Sequence, residues 1–197
     1  MIASLFPAVG FGNKTPILLP ETTSPREEWL VCADLNSFAH DFTARQKLHG
    51  QTLNWYIVAQ LPVIPPAAYT RTFGTQTAAQ IVQHHVLRLT YTAHDMTPFA
   101  RDMGYDGSPF IWNERERRHW RARLDALYFH LYGITGEDDI RYILSTFPIV
   151  ERKDRAAHEG VYLTAELIIW YFRALAAGDS TSDAPEATLI RNAKREA

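Results

Sequence analysis

Residues 35–66 read LNSFAHDFTARQKLHGQTLNWYIVAQLPVIPP, and the order of signals in them sets the expected fold. Leu35, Phe38, Ala39 and Phe42 recur at helical spacing, which predicts the second half of an amphipathic helix with one buried stripe. Arg45, Gln46 and Lys47 fall in its last turn, where the helix dipole favours positive charge. Gly50 can adopt the left-handed conformation that ends such a helix. Leu53, Trp55, Tyr56, Ile57 and Val58 then supply the aromatic and β-branched bulk of an extended run, and Pro62, Pro65 and Pro66 stop any further helix. A basic helix end beside the polar residues Gln51, Thr52 and Asn54 suits contact with a phosphate backbone. Dipole compensation accounts for the same charges, so both readings stay open.

Upstream, Ile2–Phe11 and Pro16–Leu19 read as short strands, joined by a Gly10–Lys14 turn whose amides and Lys14 could meet a phosphate. Ser24 and Pro25 suit the start of the first helix, with Glu27 and Glu28 at its positive end. Cys32, the only cysteine, reads as a small buried residue.

Downstream, residues 67–79 read as a polar loop, and Gln80–Tyr91 as a short helix with Ile81, Val82, His85 and Leu89 facing inward. His84 and His85 are neighbours and point about 100° apart on a helix, so core-edge packing suits them better than one metal. Residues 89–112, rich in Pro, Gly, Asp and aromatics, read as an ordered loop. Asn113 caps the longest helix, whose Trp120, Leu124, Leu127 and Leu131 form a buried stripe. Arg117, Arg118 and Arg121 share an outward arc on it. Glu114 and Asp125 stand four residues from Arg118 and Arg121, so a salt-bridged face and phosphate contact are both open. Thr135 reads as the cap of the next helix, with Glu137, Asp138 and Asp139 as dipole partners and not as a metal cluster. A last helix is expected over Tyr162–Ala177, and residues 178–197 read as a loose, polar tail.

The ordered strings in this chain resemble large adenine-specific DNA methylases of type IIG restriction–modification and related phage-defence systems. The pattern LNSFxxDxxARQK, a glycine loop and LNxxxxxQLPVxPP is similar to the end of their target-recognition region. RLTYTAHDMTPFARDMGYDGSPFIWNERERRHWRARLDALYFHLYG and DDIRYILSTFPIVERKD resemble the helical segment behind it, so the likeness spans about Leu35 to Asp154. His40 and His49 depart from the pattern, which places a nonpolar residue and a second glycine there.

The resemblance implies double-stranded DNA and a catalytic methyltransferase chain or domain as partners, with S-adenosylmethionine held by that partner and no cofactor in this chain. The family's glycine-rich cofactor turn and its (Asp/Asn)-Pro-Pro-(Tyr/Phe) motif have no counterpart: Pro65–Pro66 lies between Ile64 and Ala67. No serine elbow, paired cysteines or His-Glu-x-x-His stands in their place, so no catalytic or metal residue is assigned. A net charge of −2 excludes a uniformly basic coat and confines DNA contact to local patches. The expected architecture is α+β: a small strand-containing region over residues 1–66, a helical region over 67–177 and a tail. The expected function is a DNA-recognition or accessory segment of an N6-adenine methyltransferase, separated from its catalytic domain. Its DNA-facing residues would be Lys14, Arg45, Lys47, Thr52, Arg117 and Arg121. The alternative is an interaction or scaffold module that docks through its apolar start without touching nucleic acid. No run of about 18 apolar residues or secretory start is present, so a cytoplasmic location without a membrane span is expected.

Overall fold

The computed structural model describes residues 2–7, 10, 17–18, 27–48 and 54–196. Within them the chain is mostly helical, with one two-stranded hairpin, in the α+β class. In chain order the elements are α1 (Glu28–Leu35), α2 (Phe38–Lys47), α3 (Trp55–Val58), β1 (Thr72–Phe73), β2 (Gln76–Thr77), α4 (Ala78–Thr90), α5 (Thr97–Asp102), α6 (Glu114–Leu131), α7 (Glu137–Ser145), α8 (Pro148–Ala157), α9 (Leu163–Ala176) and α10 (Glu186–Glu196).

The expected first helix is two. Ser37 restarts it by accepting from the His40 N–H at 3.1 Å, an N-cap in extended geometry. Asn36 leaves the helix path and turns its amide to the Cys32 carbonyl at 2.7 Å and the Ala3 carbonyl at 2.9 Å, while its Oδ1 accepts from Ala3 N–H. Residues 2–7 therefore run beside α1 without joining a strand pair, and Ile2 and Phe6 face outward. Ile17 and Leu18, the described portion of the second expected strand, also lie outside any strand. Gly50, Ser24, Pro25 and His49 lie outside the described residues. Cys32 is half-buried, and burial pushes its thiol up to about 11.

The apolar run at 55–58 forms one helical turn, not an extended segment, because Asn54 opens helical backbone bonds to Ile57 and Val58 and Pro62 closes the element soon after. Strand structure appears six residues beyond Pro66, inside the expected loop. Thr72 pairs with Thr77 and Phe73 with Gln76 around Gly74–Thr75. Gly74 has φ +63°, a positive value at the first turn position alone, as a type II′ hairpin turn requires. Thr77 then caps α4 in a full capping box with Gln80. Residues 89–112 contain α5 within the expected loop; Pro98 in its first turn suits a helix start.

The core is built on α6 and α9, the most extensively packed helix pair. Leu127, Tyr128 and Phe129 from the first meet Leu163, Leu167 and Ile168 from the second, all of them fully enclosed. Leu30 and Ala33 of α1, Ile64 before the double proline, Ile81 and Val82 of α4 and Ile140 of α7 join the same cluster. The core thus runs across residue 66 without a break. A smaller cluster forms where Leu87 and Tyr91 meet Met96, Ala100 and Met103. Leu5 touches both clusters.

Beyond α9 the chain is ordered, contrary to the expected loose tail. Arg123 of α6 donates to the carbonyls of Ser180 (3.1 Å) and Ser182 (2.6 Å) and to Asp183 Oδ1 (3.0 Å), with its guanidinium over the Tyr171 ring. The α10 helix follows, and its Leu189 and Ile190 pack on the core. Polar composition hid this docking because the anchor lies on a helix 57 residues earlier. Gly136, not Thr135, holds the N-cap position of α7.

Candidate nucleic-acid interface

Helix α2 is held from below by two buried carboxylates. Asp34 accepts from the Ile64 N–H at 2.9 Å, tying α1 to the segment before the double proline. The Tyr132 hydroxyl stands 2.8 Å from the other Asp34 oxygen, 3.1 Å from the Pro62 carbonyl and 3.1 Å from His40 Nδ1. Burial raises the Asp34 carboxyl, while the Ile64 amide, Tyr132 and His40 act against it; burial lowers His40. His40, expected at the helix edge, is fully enclosed, so the polar departure from the family pattern serves this network. The second carboxylate, Asp125 of α6, accepts from the Phe38 N–H at 2.9 Å, and burial pushes it up to about 7.

Fixed in this way, α2 lays Phe38 edge-on against Phe147 at 4.8 Å and Phe42 edge-on against Tyr142 at 6.2 Å. Arg45 in its last turn rests over the Phe147 ring at 4.3 Å and reaches Asp41 at 3.2 Å, with its side chain still half exposed. Lys47 is exposed. Phe147 is the residue from which α8 starts. Along α8 only Glu151 and Asp154 are half-buried, and its other residues, Arg152 and Lys153 among them, are exposed. Arg152 and Lys153 lie five and six residues after Phe147 in the sequence and are exposed on α8. No carboxylate partner for Arg152 or Lys153 is present among the described residues. Sequence reasoning missed these two cations; the available signal was their spacing on the outward side of α8.

The other expected DNA-facing residues divide. Lys14 and Thr52 lie outside the described residues. Arg117 does not face outward: it is buried, donates to the Leu89 carbonyl at 2.9 Å and stacks on Trp112 at 3.7 Å. Arg121 is exposed, and its partner is Glu114 at 3.7 Å, seven residues earlier. Arg118 pairs with Glu186 of α10 at 3.3 Å, and Asp125 is taken up by Phe38. The expected i,i+4 pairs fail because α10 and α2 supply closer partners. Arg45 is therefore placed against Phe147, the residue before α8, whereas Arg117 and Arg121 belong to α6.

Among the described residues no His, Cys, Asp or Glu group could hold a metal ion, and Glu137 at the start of α7 is paired with Arg173. No helix of the described residues is long and apolar enough to cross a membrane. No family model, curated protein or solved structure matches the chain.

Proposed function

We propose that the chain is a DNA-recognition or accessory segment that works with a separate N6-adenine methyltransferase chain or domain in restriction–modification or phage defence. The observation that carries this reading is the contact of Arg45 with Phe147. It joins the ARQK end of α2 to the TFPIVERKD string that opens α8, two of the strings that resemble the methylase family. In this reading Arg45 and Lys47 at the end of α2, with Arg152 and Lys153 of α8, supply the phosphate contacts of an otherwise slightly acidic protein. Such cations hold phosphates and set register, while base choice belongs to other groups. S-adenosylmethionine and the flipped adenine would be bound by the catalytic partner.

Duplex binding across a salt series, with and without a catalytic methyltransferase, tests the reading. Four phosphate contacts give a log–log slope of about −3 to −4. Absence of duplex binding in both arms refutes it.

A second reading, an interaction module that touches no nucleic acid, is favoured by Tyr142, Ile149 and Val150, which are exposed beside the same cations. Co-purification with a partner whose DNA affinity is indifferent to Arg45→Ala with Lys47→Ala would select it.

A further inference from the structure

On the far side of α4 and α6, the turn that follows α5 folds back over Tyr91. The Phe110 N–H donates to the Tyr91 carbonyl at 2.9 Å, and the Tyr105 hydroxyl donates to the Ser108 carbonyl at 3.3 Å. The Tyr105 ring lies so close over Gly107 that a Cβ there would stand 2.4 Å from its hydroxyl. This turn stacks Tyr105 on Phe110 with ring centres 5.0 Å apart and planes 25° apart, and the Arg88 guanidinium lies 5.1 Å from the Phe110 ring centre. Opposite stand Asn113, Glu116 and Trp120 of α6. Together they line an open cleft of about 660 Å³.

Trp120 has a role that the sequence did not suggest. Expected in the buried stripe, it belongs to neither apolar cluster; it is half-buried and lines this cleft. A large flat ring left out of the core faces an open cleft that mixes aromatic walls with polar and charged groups, which suits a flat polar ligand. Two of those polar groups have opposite charge. Arg88 gives one guanidinium nitrogen to His84 and makes no ion pair with Glu116, although both line the cleft. The Glu116 carboxylate makes no hydrogen bond or ion pair among the described residues, although its charge acts on Arg88.

We propose that this cleft binds a nucleobase, stacked on Trp120 and the Tyr105–Phe110 wall, with Glu116 accepting from a ring or amino N–H and Arg88 donating to a ring nitrogen or carbonyl. An aliphatic ligand would give neither Arg88 nor Glu116 a hydrogen bond, and a simple anion would face Glu116. A base carries a donor and an acceptor on one edge and two flat faces, which uses every group the cleft offers. The same chemistry could arrive as a free nucleotide or as an unstacked base in a strand. The cleft shares no lining residue with α2 or α8 and does not depend on them.

The test titrates the full chain with the four ribonucleoside monophosphates in one arm and with a short single strand carrying 2-aminopurine in the other. Quenching of tryptophan or 2-aminopurine fluorescence is the readout. Binding in either arm, weakened about tenfold or more in Trp120→Ala and several-fold in Glu116→Gln, is the expected result. Glu116 is exposed and its side chain makes no hydrogen bond among the described residues, so Glu116→Gln decides the matter should Trp120→Ala unfold. Equal affinity in the two arms identifies a nucleotide site, and tighter strand binding identifies a strand site. No binding in either arm, or binding that neither variant changes, overturns the proposal. Lys47→Ala with Lys153→Ala leaves monophosphate binding unaltered, so failure of the cleft and failure of the duplex-binding reading are separately visible.

Discussion

The backbone N–H of Phe38 donates to Asp125 Oδ1 across 2.9 Å, joining the first turn of α2 to the middle of α6 through a carboxylate almost wholly removed from solvent. Burial raises that carboxyl from 3.8 to about 7, against the Phe38 amide and the Arg121 charge. The folded chain thus keeps a proton that the unfolded chain releases. The stabilisation is fully present below the unfolded value and is lost as pH rises through the folded one. Asp125→Asn retains an acceptor for Phe38 and carries no charge to bury. It is expected to be more stable than the parent at pH 8, by on the order of 3 kcal/mol, with the gap closing toward pH 4. Urea denaturation at several pH values measures this; a gap that does not change with pH excludes Asp125 as its source.

Arg117 and Lys47 are both basic, but their losses should be read in different experiments. Arg117→Ala removes a buried donor from the Leu89 carbonyl and a cation from the Trp112 face, so a stability loss of about 2 kcal/mol is expected with no change in the salt dependence of duplex binding. Lys47→Ala with Lys153→Ala removes two exposed charges. The salt slope should shrink by about 2 while stability stays within about 0.5 kcal/mol.

Gly74 and Gly104 separate backbone conformation from space. Both have positive φ, +63° and +76°. A Cβ on Gly74 would sit 2.0 Å from the Gly178 carbonyl oxygen, at the turn that ends α9, whereas a Cβ on Gly104 meets nothing within 4 Å. Gly104→Ala is expected to cost about 1 kcal/mol from conformation alone. Gly74→Ala must also push the hairpin backbone away from that of the α9 turn and should cost at least about twice as much. Equal midpoints in urea for the two variants would contradict the close approach of hairpin and α9.

Arg123 is the anchor of residues 178–186. Arg123→Ala deletes its bonds to Ser180, Ser182 and Asp183, and leaves the Ser180 carbonyl short of its donor. A global loss of about 3 kcal/mol is expected, since charged donors to buried carbonyls contribute about 1.5–3 kcal/mol each. Hydrogen exchange should quicken in α10 before it does so in α6. Unaltered protection of α10 would show that Leu189 and Ile190 hold it without the arginine.

Some of this architecture is written locally. Asn113 caps α6 by accepting from the Arg115 and Glu116 amides, as its position before the long apolar stripe predicts. Gly133, at φ +79°, marks its end. Phe38, Ala39 and Phe42 of the expected stripe pack on the core from α2 while Leu35 is buried at the end of α1, and the last apolar helix lies within a residue of its expected bounds. At the candidate interface, the basic end of α2 was legible for the same reason: its residues are neighbours in the chain.

Residues that act over distance were not legible. Arg117 and Arg121 sit four apart on one helix, yet one is buried under Trp112 and the other exposed, because the turn before α6 covers one side of that arc. Asp34 and Asp125 are ordinary acids by local pattern, and become buried acceptors only where Ile64, Tyr132 and Phe38 are brought to them. The sequence by itself determined the bounds of α4, α6 and α9 to within a few residues and most of their apolar faces, since caps, dipoles and side-chain periodicity act locally. Only the tertiary structure decided which charges are buried, that residues 178–196 dock, and that Arg45 lies over the Phe147 ring. Burial and ion pairing depend on groups that the chain path brings together from far apart, and no local pattern records them.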